Sequence, residues 1–62
     1  SMQQVRGVDL RAERVRRGLR GVDVAMRLGL SHQRISQIEA LWRVRHELAE
    51  RYLRALDVDT SP

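Results

Sequence analysis

A chain of 62 residues makes one domain at most, and at that size folding buries only roughly 60% of the surface the unfolded chain exposes, so its core must be small. Hydrophobic residues are 42% and charged residues 32%, too apolar a mixture for a disordered tail. The absence of cysteine excludes a disulfide framework and a thiolate metal site, and His32 and His46 are too few and too far apart for a metal cage, so neither a metal nor another cofactor is expected. The longest apolar runs are two or three residues, as at Val24-Ala25-Met26, which excludes a membrane span and a signal h-region and makes a cytoplasmic home the simplest expectation. All 12 basic residues are arginine, the net charge is +4 and the pI is about 11.3. This balance favours a polyanionic partner, with a merely solvated arginine surface as the bland alternative.

Apolar residues recur at three- and four-residue spacing and never alternate with period two, so the pattern predicts an all-α domain without strands. Ser1-Met2 has the form of a scar left by cleavage of an expression tag, and residues 1–8 are read as a tag-derived or disordered N-terminus. A first helix is expected from Asp9, whose carboxylate can accept from orphan N–H groups, to about Arg17, with Gly18 ending it. A second covers Val22 to Leu28, with Val24, Ala25 and Leu28 inward, and Gly29 stops it in a left-handed cap. Leu30 is expected to re-enter the core. Ser31 then caps a third helix, whose inward stripe is Ile35, Ile38 and either Leu41 or Trp42.

A last helix carries Ala49, Tyr52, Leu53 and Leu56 at i, i+3, i+4 and i+7. Neither Gly nor Pro separates it from the third. Either Ala40 to Arg45 forms a turn without its usual residues or one long helix runs through. The break is favoured, because a continuous helix would leave Tyr52 and Leu56 little to pack against. The domain is thus a compact four- or five-helix unit over residues 9–58, with 59–62 as a flexible tail.

The stretch from Val22 to Glu39 carries the functional reading. It sets small Ala25 where two helices approach, Gly29 in the turn, and Leu30, Ile35 and Ile38 as a wedge, which is helix-turn-helix patterning. With Ile35 and Ile38 inward, the outward face of the third helix holds His32, Gln33, Ser36 and Gln37. All four form hydrogen bonds: Gln can bind adenine N6 and N7 together, Ser suits donors or acceptors, and neutral His offers one of each, as a major groove requires.

From Leu10 to Leu56 the chain resembles the lambda-repressor and Cro family, the Xre-type regulators. The resemblance is carried by Leu10, Arg14, Gly18-Leu19, Val24-Ala25, Leu28-Gly29-Leu30-Ser31, Ile35-Ser36, Ile38-Glu39 and Ala55-Leu56. It implies double-stranded DNA as partner and base contacts from His32, Gln33 and Gln37. The implied phosphate contacts fall on Arg34, on the start of the second helix and on the loop after the third, making Gly21, Ser31, Arg34, Arg43 and Arg45 the candidates. It also implies a structural ion pair between Arg14 and Glu39. Two departures weaken the transfer. Gly21 stands where the family usually has a phosphate-anchoring Gln and can offer only its backbone N–H, and Leu41-Trp42 replaces a Gly-containing turn, leaving Arg43 or Arg45 to compensate. Gly29 to Ala40, with the arginine-rich run to His46, also resembles the promoter-reading region of bacterial sigma factors, although Leu10 to Leu19 fits the repressor pattern better.

Several residues invite a plainer role. His46 is expected to be merely exposed, and Arg11, Arg16, Arg17 and Arg27 to form mostly a solvated face. Trp42 fits a core or interface anchor better than a stacking platform for nucleic acid. No enzyme is expected, since the chain lacks a phosphate loop, a metal constellation and a nucleophile beside a base, and is too small for a substrate pocket. A protein-interaction module through Leu48, Tyr52, Leu53 and Leu56 is the competing class. The favoured expectation is a repressor-like transcriptional regulator, homodimeric through its C-terminal helix because Leu53 and Leu56 offer apolar surface beyond the needs of one small core.

Overall fold

The computed structural model describes residues 4–57, which form four helices in chain order: α1 (Gly7–Arg16), α2 (Gly21–Leu28), α3 (His32–Ala40) and α4 (His46–Leu56). Among the described residues no strand occurs beyond a single antiparallel bridge between Val5 and Val44. The all-α class and the four-helix count agree with the sequence expectation. The tail at 59–62 lies outside the described residues.

Two helices end by the same device. Gly18 and Gly29 adopt left-handed φ values of 73° and 71°. Each donates its N–H to the carbonyl three residues back, while the following Leu19 and Leu30 donate to Arg14 and Ala25 five residues back. This pairing satisfies carbonyls that a helix end otherwise leaves bare, and only glycine enters the left-handed region without a steric cost. At the start of α3, the Ser31 hydroxyl accepts the Arg34 N–H at 3.0 Å. Ser31→Ala is therefore expected to cost about 1 kcal/mol, or roughly 4–8 °C in Tm for a domain of this size, and Ser31→Asn to restore it in thermal melts.

The N-terminus departs from expectation. Helix α1 begins at Gly7, and Arg6 occupies its N-cap position without a side-chain cap. Asp9 lies in the first turn, where a carboxylate suits the positive end of the helix without capping it. Part of the segment read as tag or disorder is thus built into the domain. The Gly7 N–H donates to the Leu41 carbonyl at 2.8 Å, and the Val44 N–H donates to the Val5 carbonyl at 2.8 Å. Those bonds occupy backbone groups that the chain frees by leaving α3. Leu41 and Arg45 take extended ψ values of 137° and 147°, so the break between α3 and α4 exists without Gly or Pro.

The core consists of Leu10, Val24, Ala25, Ile35, Ile38, Val44, Ala49, Tyr52 and Leu56, with Val5, Leu19, Leu28, Leu48 and Leu53 packed against it. Three expectations are corrected. Leu30 is 38% exposed, so it does not re-enter the core, and Leu41 is 42% exposed, so it does not extend the inward stripe of α3. Trp42 is 70% exposed, with the Arg6 guanidinium stacked 4.1 Å from its ring centroid. Val44 takes the core place meant for one of them. In α4, Leu56 is buried in the core and Leu53 packs against it, which removes the apolar surplus that suggested pairing through that helix.

Candidate nucleic-acid interface

Helix α3 is held by its inner face. Ile35 and Ile38 are almost fully buried, and Glu39 anchors the C-terminal end. The Arg14 guanidinium donates to both Glu39 carboxylate oxygens, from Nε at 2.8 Å and from Nη2 at 3.0 Å, while its Nη1 donates to the Leu19 carbonyl at 3.0 Å. The Tyr52 hydroxyl donates to the same carboxylate from α4. One carboxylate thus ties α1, α3 and α4 together. The Arg14 and Glu39 side chains are only 12% and 8% exposed, so this is a part-buried pair whose carboxylate accepts three hydrogen bonds.

The electrostatics follow from that geometry. Burial pushes the Glu39 carboxyl up, but hydrogen bonds from Arg14 and Tyr52 outweigh it and hold the group below its ordinary value. Tyr52 moves upward, through burial first and then its bond to Glu39. Arg14 is raised by its hydrogen bond to Glu39. The ion pair implied by resemblance is therefore present, with Tyr52 as a third member that sequence reasoning missed. A signal existed: the chain has one Tyr and no Phe, and a buried Tyr needs a partner for its hydroxyl.

The opposite face of α3 is open. His32, Gln33, Ser36, Gln37 and Arg34 are all exposed. Arg34 lies along the helix, its Nη1 3.4 Å from the Gln37 amide oxygen, which keeps a second lone pair for a base edge. The Ser31 oxygen accepts the cap bond, and the hydroxyl proton stays available as a donor. Gly21 is buried at the start of α2, and its backbone faces the His32 ring.

Beside this face runs a groove of about 590 Å³ lined by Arg34, Leu41, Arg43, Arg45, Glu47, Leu48 and Arg51. The structure thus brings Arg34, Arg43 and Arg45 together, and adds Arg51 of α4, which the sequence reading did not select. Arg51 lies four residues from Glu47 and three from Leu48, on one helical face, a spacing legible once α4 is known to start at His46. Four arginines and one glutamate thus share the lining of the groove. Such a lining suits the charge of a phosphate backbone, with Arg34 shared between the groove and the polar face of α3. His46 lies on the surface, 3.6 Å from Glu50. Among the described residues, no helix is long and apolar enough to cross a membrane.

No family model, curated protein or solved structure matches this chain.

Proposed function

We propose that this chain is a sequence-specific double-stranded-DNA-binding domain of the lambda-repressor and Cro kind, a repressor-like transcriptional regulator that inserts α3 into the major groove. The observation that carries the reading is the outer face of α3: four hydrogen-bonding side chains are exposed on a helix fixed from behind, with an arginine-lined groove alongside. A rigid support suits base reading, because hydrogen bonds to base edges discriminate only when their donors and acceptors are held in place. The arginines supply the sequence-independent attraction that sets register on the backbone. On the same resemblance the domain works on the nucleoid in the cytoplasm as a homodimer on a pseudo-palindromic site with half-sites about 34 Å apart, without calling on Leu53 and Leu56, which the core takes up.

The test separates two kinds of contact. Gln33→Ala and Gln37→Ala are each expected to cost about 1–3 kcal/mol on the preferred sequence and to flatten preference at one base position. Arg34→Ala is expected to weaken all duplexes alike and to reduce the slope of log affinity against log salt by about one unit. Selection from random duplexes, followed by mobility shifts at two salt concentrations, reads both signatures. Preference unchanged in both glutamine variants, or duplex binding indifferent to salt, would count against the proposal. Sedimentation with and without a paired half-site tests the dimer, and a strict monomer that binds single half-sites independently removes it.

A further inference from the structure

Gly21 and His32 each open a helix, and the two meet. A Cβ placed on Gly21 would lie 2.9 Å from His32 Nε2 and 3.0 Å from His32 Cδ2, with Ile35 Cγ2 next at 3.9 Å. The imidazole therefore lies with one edge over the start of α2, in space that any side chain at position 21 would take. His32 itself remains exposed. From this contact we infer that Gly21 is a specificity-determining residue that acts through His32: its missing side chain sets the orientation in which the imidazole is presented beside Gln33 on the reading face.

The argument is steric. Contacts of 2.9 and 3.0 Å are too close for a carbon beside a ring, so one partner must yield. The ring is the far end of a side chain with two rotatable bonds, whereas position 21 is buried backbone in a helix. A substituent at 21 therefore turns the ring away and leaves the backbone in place. Replacing glycine by alanine inside a helix is also favourable to folding in itself. Gly21→Ala is accordingly expected to fold as well as the parent, or better, while its His32 ring sits elsewhere. A residue with only a structural role would show the reverse, a changed melt with unchanged base preference.

The inference rests on the DNA-reading proposal, and its test keeps the two apart. In the free protein, nuclear Overhauser contacts between the His32 ring protons and the Gly21 α-protons are expected, and the ring resonances should shift in Gly21→Ala. On randomised duplexes, His32→Ala should flatten preference at one base position. Gly21→Ala and the bulkier Gly21→Gln should change the ratio of best to next-best base at that same position by about fivefold, the low end of one base contact. In a His32→Ala background, neither change at 21 should alter that ratio further.

Three results would overturn the inference: no ring contact with Gly21, an unchanged ratio in Gly21→Ala, or the same change with and without the imidazole. If Gln37→Ala flattens preference while the position 21 and 32 variants do not, DNA reading stands and this inference falls. If none of these variants alters preference, both fall.

Discussion

Gly7→Ala is expected to lower the melting temperature by about 8–16 °C. A Cβ at position 7 would sit 2.5 Å from the carbonyl oxygens of both Glu39 and Ile38 and 2.6 Å from the Glu39 carbonyl carbon. These are backbone atoms of α3, which cannot rotate aside as a side chain can. The two helices must separate, and separation stretches the bond from the Gly7 N–H to the Leu41 carbonyl. Forcing an extra carbon into a packed site typically costs about 1–3 kcal/mol, which outweighs the ~0.4–1 kcal/mol gained through the unfolded chain. Because the contacted atoms are backbone, the net loss falls in the upper part of that difference, about 2 kcal/mol, which corresponds to the stated shift at roughly 4–8 °C per kcal/mol. A core in a chain this small supplies only about 3–5 kcal/mol in total. Gly21→Ala is the matched control, since the atoms it meets first belong to a movable ring. Equal thermal melts for the two variants would show that the approach of α1 to α3 is looser than described.

The same contact explains why the N-terminal boundary was hard to read. Nothing local at Gly7 announces that a carbonyl pair from α3 passes within touching distance, because the constraint is tertiary. Capping logic instead selects Asp9, the first carboxylate, although an acid one turn inside a helix is as ordinary as one at its cap. The turn between α3 and α4 is the mirror case. Its stop signal is Val5, a strand-like partner from the other end of the chain that pairs with Val44. Local punctuation is absent since the break is made by long-range hydrogen bonds. By contrast, the ends of α1 and α2 were legible, because Gly18 and Gly29 act through their own φ angles.

The polar face of α3 was legible for a related reason. Once Ile35 and Ile38 are assigned inward, helical geometry leaves His32, Gln33, Ser36 and Gln37 outside with no further information. What periodicity could not supply was the depth of the stripe beyond Ile38. Leu41 and Trp42 continue it in sequence, yet the chain turns before they can follow, and Val44 fills the place instead. Trp42 is left on the surface under Arg6. Arg51 was missed because membership of the arginine groove depends on where α4, packed on α1 and α2, is set relative to the end of α3, which follows from the turn that the sequence does not mark.

Removal of one member of the Arg14–Glu39–Tyr52 network is expected to be the most damaging polar change in the domain. Glu39→Ala leaves a guanidinium and a phenol facing each other in a part-buried space, and breaking such a pair by removing one partner costs up to about 3–5 kcal/mol, at that limit comparable with the whole stability of a chain this small. Arg14→Ala should be similarly severe, because it strands the Glu39 carboxylate and frees the Leu19 carbonyl. Tyr52→Phe should cost less, about 1.5–3 kcal/mol for one bond to a charged group. The triple change Arg14→Met, Glu39→Leu, Tyr52→Phe replaces the network by apolar groups of similar size and is expected to recover most of the loss.

Acid should reproduce the carboxylate's part reversibly. The folded-state pKa of Glu39 lies below its ordinary value, so the stabilisation is fully present above that ordinary value and is lost as pH falls through the depressed one. The raised pKa of Tyr52 acts at the other end, with stability present below the ordinary tyrosine range and lost as alkaline pH ionises the phenol. Thermal melts from pH 2 to 7 should therefore show a fall at acid pH in the parent that is smaller in the triple variant. An identical acid profile in both would show that Glu39 contributes nothing specific to the fold. Under the proposed DNA reading, base preference retained in the triple variant would show that the network supports α3 mechanically and takes no part in contacting the base.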